Sequence, residues 1–75
     1  MQIISQDGLH LIDLDKYKLE IKKKHNNFNL LTNKNNIILY TSKKEEVINL
    51  ICNIICHMSM IDEPLCDLRE WKERG

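Results

Sequence analysis

Cys52, Cys56, His57 and Cys66 form the one soft-ligand cluster of the chain, and their spacing bounds the chemistry available to it. Cys52 and Cys56 stand at i and i+4, so a helix brings both sulfurs to one face, and His57 or Cys66 can complete a tetrahedral zinc set. Against that, there is no paired C-x-x-C knuckle, and His57 projects about 100° away from Cys56 around a helix. Cysteine is also among the most buried residue types and behaves as a small apolar side chain. Structural thiols are the expectation, with no metal and no cofactor. Three cysteines cannot all pair within one chain, and no secretory n-region and h-region precedes them. The chain reads as cytoplasmic, with reduced thiols.

Nucleophilic catalysis needs a Ser or Cys, a His base and an orienting acid held in a cleft. His10, His25 and His57 fall in three different elements without a flanking signature. An active-site pocket is typically several hundred Å³, which a chain of 75 residues can hardly enclose. No enzyme is expected.

Positive charge concentrates in Lys16, Lys18, Lys22, Lys23 and Lys24. A strand through this stretch shows Lys18, Lys22 and Lys24 on one face with His25 beside them, a set able to hold an anionic ligand. The competing account is that the lysines solubilise the strand and guard a sheet edge. Eleven basic and eleven acidic residues give zero net charge, which argues against a dedicated nucleic-acid binder. Neither arginines nor interleaved aromatics strengthen that case.

The elements that position these residues follow from pattern and turn chemistry. Residues 1–14 read as a β-hairpin closed by Asp7-Gly8. Tyr17 to Lys22 alternates apolar and charged residues at period two, placing Tyr17, Leu19 and Ile21 toward a core. Phe28 to Thr32 and Ile37 to Tyr40 read as further strands, separated by Asn-rich turns. Ser42-Lys43-Lys44-Glu45 fits a capping box opening a helix at Ser42, and Pro64 bounds its far end. On that helix Val47, Leu50, Ile51, Ile54, Met58 and Ile61 form a stripe for the sheet, with Ile48 and Ile55 at its edge. Beyond Pro64, Leu65, Leu68 and Trp71 recur on a short charged segment, with Arg69/Glu73 and Glu70/Arg74 at i, i+4. The predicted fold is α+β and a single domain over 1–75: an antiparallel meander of four or five strands, one long helix over about 42–61 and a short helix over about 64–74.

Val47 to Ile61 carries no charge in a chain with 29% charged residues, so its second face also stands out. Asn49, Asn53, Cys56 and Met60 lie there, with Cys52 and Ser59 at one margin and His57 at the other. Either this is a weakly polar outer face, or it is covered by the same helix of a second protomer or by the C-terminal tail. The dimer is the preferred reading, because so short a chain buries only roughly 60% of its unfolded surface. Trp71, as the single Trp, completes the candidate interface. A membrane span is excluded, because the run falls short of the roughly 20 residues required and contains two Asn and a His.

The opening Ile3-Ile4-Ser5-Gln6-Asp7-Gly8, the Tyr-centred alternating strand, the aliphatic strand ending near Tyr40 and the Ser-Lys-Lys-Glu-Glu helix start together resemble a loose group of short proteins. These are encoded by phages and prophages of low-GC Gram-positive bacteria. The likeness spans about residues 2 to 58, and the Arg-Ala pair common early in that group's helix is absent here. It implies a mobile-element accessory protein and transfers no functional residue. The expected function is non-enzymatic binding: docking onto a host protein, such as a defence enzyme, to inhibit or modulate it. The alternative is sequestration of an anionic nucleotide at a subunit boundary by Lys18, Lys22, Lys24 and His25, with Tyr17 or Tyr40 stacking the base.

Overall fold

The computed structural model describes residues 1–71. Strand β1 (Gln2–Ile4) pairs antiparallel with β2 (Leu11–Asp13), and a 3₁₀ turn (Leu14–Lys16) leads onward. Strands β3 (Leu19–Lys24), β4 (Asn27–Thr32) and β5 (Ile38–Ser42) form an antiparallel meander, helix α1 (Glu45–Met60) follows, and β6 (Leu65–Asp67) closes the order before a second 3₁₀ turn (Leu68–Glu70). The fold is α+β, as the sequence predicts. Among the described residues, six strands divide between two three-stranded sheets, β2-β1-β6 and β3-β4-β5.

The C-terminal segment is the main departure. Instead of a helix over 64–74, β6 lies parallel to β1, with Cys66 opposite Ile3, and Gln2 N–H donates to the Pro64 carbonyl at 3.0 Å. Cys66 and Leu68, at period two, are fully buried, whereas Leu65 and Trp71 stay about two-fifths exposed at 42% and 41%. Strand alternation thus wins over helical spacing, because the open edge of β1 needs hydrogen-bond partners. The predicted Arg69/Glu73 and Glu70/Arg74 pairs fall on residues outside the described range. Arg69 instead pairs with Asp67 at 2.7 Å.

The helix boundaries also move. Ser42 ends β5, and its hydroxyl accepts from Lys44 N–H at 2.9 Å rather than capping a helix that starts there. At the other end Asp62 takes φ +57, Glu63 N–H donates to the Met58 carbonyl at 3.0 Å and Asp62 N–H to that of Ser59 at 3.2 Å. That is a Schellman motif, which satisfies the last carbonyls before Pro64 is reached. The first hairpin closes through a six-residue loop, Ser5 to His10, rather than through Asp7-Gly8 alone. Ser5 anchors it, with its N–H donating to the His10 carbonyl at 2.9 Å and its hydroxyl to Asp7.

Both sheets and the helix feed one core. Ile3, Ile12, Cys66 and Leu68 come from the first sheet and its trailing turn, Leu30, Leu39 and Tyr40 from the second, and Ile48, Ile51 and Ile55 from α1. A register shift opposite Leu30 and Leu31 lets Leu39 and Tyr40, neighbours in sequence, both enter the core. Gln6 ties the sheets together: its N–H donates to the Leu39 carbonyl at 2.7 Å, and its side-chain oxygen accepts from Thr41 N–H at 3.1 Å. The outer edge of β5 is thereby occupied.

Candidate interaction surface

The phase of α1 fixes what it shows to solvent. Ile48, Ile51 and Ile55 are buried, with Val47, Cys52, Ile54 and Met58 half-buried beside them. This face is rotated from the predicted stripe: Leu50 and Ile61, assigned to the sheet by spacing, are exposed at 56% and 55%. The predicted outer residues Asn49, Asn53, Cys56 and Met60 are all exposed, Met60 at 82%. The described part of the tail does not cover them, since it is spent on β1. Leu50 and Ile61 therefore join Met60 and make the outward face more apolar than the sequence expectation, and no charge interrupts it from Val47 to Ile61.

Trp71 is exposed at 41%. It follows the last 3₁₀ turn, and its main-chain carbonyl accepts the Tyr40 hydroxyl.

At one flank of α1 lies a groove of about 540 Å³, walled by Cys56, Ser59 and Met60 from the helix and by Leu14, Tyr17 and Leu19 from the approach to β3. It exists because α1 packs over β4 and β5 and leaves β3 at the margin. Within the predicted core trio of that strand, Tyr17 and Leu19 are only half-buried and Ile21 is exposed at 42%. Sequence reasoning missed this exposure. In a continuous meander the hairpin of residues 1–14 would cover that edge; the division into two sheets leaves it open.

The lysines alternate as predicted, with Lys18, Lys22 and Lys24 on the sheet face opposite the helix, but they do not converge. Lys22 and Lys24, with Asn29, Asn36, Leu31 and Ile38, line a basin of about 450 Å³. Lys18 lines a separate depression with Asp15, Tyr17 and Asn33. His25 sits at the tip of the β3–β4 loop with φ +56. Lys22 pairs with Glu20 at 3.6 Å, and Lys23, on the helix side, stacks its ammonium 5.5 Å from the centre of the Phe28 ring. Tyr40 is 1% exposed and is ruled out as a base-stacking surface.

Cys66 is sealed in the core beside Ile3, whereas Cys52 and Cys56 share α1. Among the described residues no three His, Cys, Asp or Glu side chains gather as a metal set. Burial, and then the neighbouring Cys56, pushes the Cys52 thiol up, and burial with nearby Asp67 and Glu70 does the same for Cys66. Both shifts favour the protonated, less nucleophilic form of the thiol. No described helix is long and apolar enough to cross a membrane. No protein family, curated protein or solved structure matches the chain.

Proposed function

We propose that the chain is a non-enzymatic binding module that docks on a protein partner through the outward face of α1. The observation that carries the reading is the exposure of Leu50, Met60 and Ile61, at 56%, 82% and 55%, on a helix face that carries no charge between Val47 and Ile61. Monomeric proteins seldom leave such a strip uncovered. A second copy of the chain is one partner able to cover it, and a host protein is the other. The resemblance to phage-encoded proteins favours a host target such as a defence enzyme, inhibited or modulated by the docking. Light scattering on the wild type and on Leu50→Glu/Met60→Glu tests the first; affinity capture from host lysate with the same pair tests the second. A strict monomer that also captures nothing lost in the variant overturns the reading.

A second reading, an anionic ligand, is favoured by the basin lined by Lys22 and Lys24. A nucleotide that binds there raises the melting temperature by mass action, and Lys22→Glu/Lys24→Glu abolishes that rise. A nucleotide panel without any shift removes it.

A further inference from the structure

The geometry points to β3 as a strand-addition site for an extended peptide that alternates aliphatic and acidic residues. The inference rests on reading the chain as a binding module and supplies the chemistry of its partner.

The open hydrogen-bonding edge comes first. Asn33 N–H donates to the Lys18 carbonyl at 2.9 Å, and Lys18 N–H donates to the Asn33 side chain at 3.1 Å. Lys18 and Asn33 are thus a hydrogen-bonded pair, and alternation makes Glu20/Leu31, Lys22/Asn29 and Lys24/Asn27 the same kind. The backbone groups of Leu19, Ile21 and Lys23 therefore point away from β4. β3 is an outer strand of its sheet, and among the described residues nothing pairs with that edge. The other outer strand, β5, has its edge occupied by Gln6.

The two faces of the missing neighbour are then specified separately. On the helix side, Ile21 is exposed at 42% although its register partner Leu30 is fully buried. Leu19, two residues before Ile21 on the same face of β3, walls the apolar groove with Cys56 and Met60. Every second side chain of an added strand would enter this space, and aliphatic residues fit it. On the opposite side the added strand would run beside Lys18, Glu20, Lys22 and Lys24, of which Lys22 and Glu20 alone form an ion pair among the described residues. Carboxylates at the intervening positions would meet Lys18 and Lys24 across the pair. The same lysines argue against a second copy at this edge, since two β3 strands would bring like charges together. Main-chain bonds supply affinity in this mode and alternate side chains supply specificity.

The test uses synthetic octapeptides of alternating Val-Glu, alternating Val-Lys and a block-ordered Val/Glu control, with binding read by fluorescence anisotropy and amide hydrogen exchange read residue by residue. Saturating Val-Glu peptide is expected to slow exchange at Leu19, Ile21 and Lys23 at least about tenfold, while the two controls leave it unchanged. Lys18→Glu/Lys24→Glu, altered only at exposed positions, is expected to transfer preference to Val-Lys. Ile21→Pro removes an N–H that β4 does not use and is expected to abolish binding, with native β4 and β5 exchange confirming the fold. Equal binding of all peptides, unchanged exchange at those three amides, or slowing with protein concentration alone overturns the inference. If the peptides fail while Leu50→Glu/Met60→Glu still disrupts a dimer or a captured partner, only the strand-addition site is lost. If both fail, the binding-module reading falls with it.

Discussion

Ile21 and Leu30 are direct register partners across β3 and β4, yet Leu30 is 0% exposed and Ile21 is 42% exposed. Cross-strand partners share a face, so the difference lies in what covers them: α1 reaches over β4 and stops short of β3. Truncation should separate them accordingly. Leu30→Ala is expected to cost about 2–5 kcal/mol through lost burial and an unfilled cavity. Ile21→Ala should cost no more than about 1 kcal/mol, the scale of one cross-strand contact. Urea midpoints of the two variants measure this, and equal losses would contradict the off-centre seat of the helix.

Asp62 ends α1 in the left-handed region, at φ +57. A Schellman motif favours glycine there, because a side chain meets its own backbone at positive φ. Asp62→Gly is expected to stabilise the protein by about 0.5–1 kcal/mol. A rise of a few degrees in thermal midpoint would register it; a fall would mean that the Asp62 carboxylate makes a contribution beyond the cap.

Gly8 shows the opposite case. It holds φ +75, and a Cβ built on it would stand 3.0 Å from Arg69 Cδ. The arginine can swing aside, but the backbone conformation remains strained for an L-residue by about 1–2 kcal/mol. Gly8→Ala should lose about that much, and Gly8→Asn less, since Asn tolerates the left-handed region. Equal losses for both variants in chemical denaturation would assign the cost to the Arg69 contact instead.

How far the sequence discloses this molecule depends on whether local pattern or tertiary demand sets each element. Tyr17 to Lys22 reads as a strand because its alternation is local, and the Asn-rich turns around it carry their own geometry. Leu65 to Trp71 matches helical spacing at Leu65, Leu68 and Trp71 and strand spacing at Cys66 and Leu68, and a three-residue strand is too short for period to separate them. The open edge of β1 settles it, and no window of sequence around residue 65 contains that edge. In α1 the difficulty is reversed. Nearly every residue from Val47 to Ile61 is apolar or small, so spacing defines the helix but not its phase. The sheet selects Ile48, Ile51 and Ile55 and leaves Leu50 outside. The outward set Asn49, Asn53, Cys56 and Met60 remained legible because polar residues mark it.

The thiols should report their placement chemically. Cys56 is exposed, Cys52 is half-buried and Cys66 is 0% exposed, and burial pushes the thiols of Cys52 and Cys66 up. Alkylation rate follows thiolate fraction and access. With limiting iodoacetamide at mildly alkaline pH, Cys56 is expected to react first, Cys52 more slowly, and Cys66 only when the protein unfolds. Peptide mass mapping over time gives the order. Early labelling at Cys66 would mean that β6 detaches from β1 far more readily than its buried position implies.

Acid should loosen one end of the first sheet, where the loop after β1 meets the end of β6, through Asp7 and Asp67. The Ser5 hydroxyl, followed by Leu9 N–H, holds the Asp7 carboxyl below its ordinary value of 3.8, and Arg69 does the same for Asp67. A carboxyl whose pKa is lower in the folded state than in the unfolded chain binds fewer protons when folded. Its stabilising contribution is therefore complete above the unfolded pKa and is lost as pH falls through the folded one. Both groups lie at the surface, so solvent screening keeps each effect small. Urea midpoints are expected to hold steady down to about pH 5 and then to decline toward about pH 2.5. Asp7→Asn/Asp67→Asn should show a lower plateau and a shallower decline, because those protons no longer enter the difference between states. Parallel curves for the variant and the wild type would place the acid sensitivity on other carboxylates.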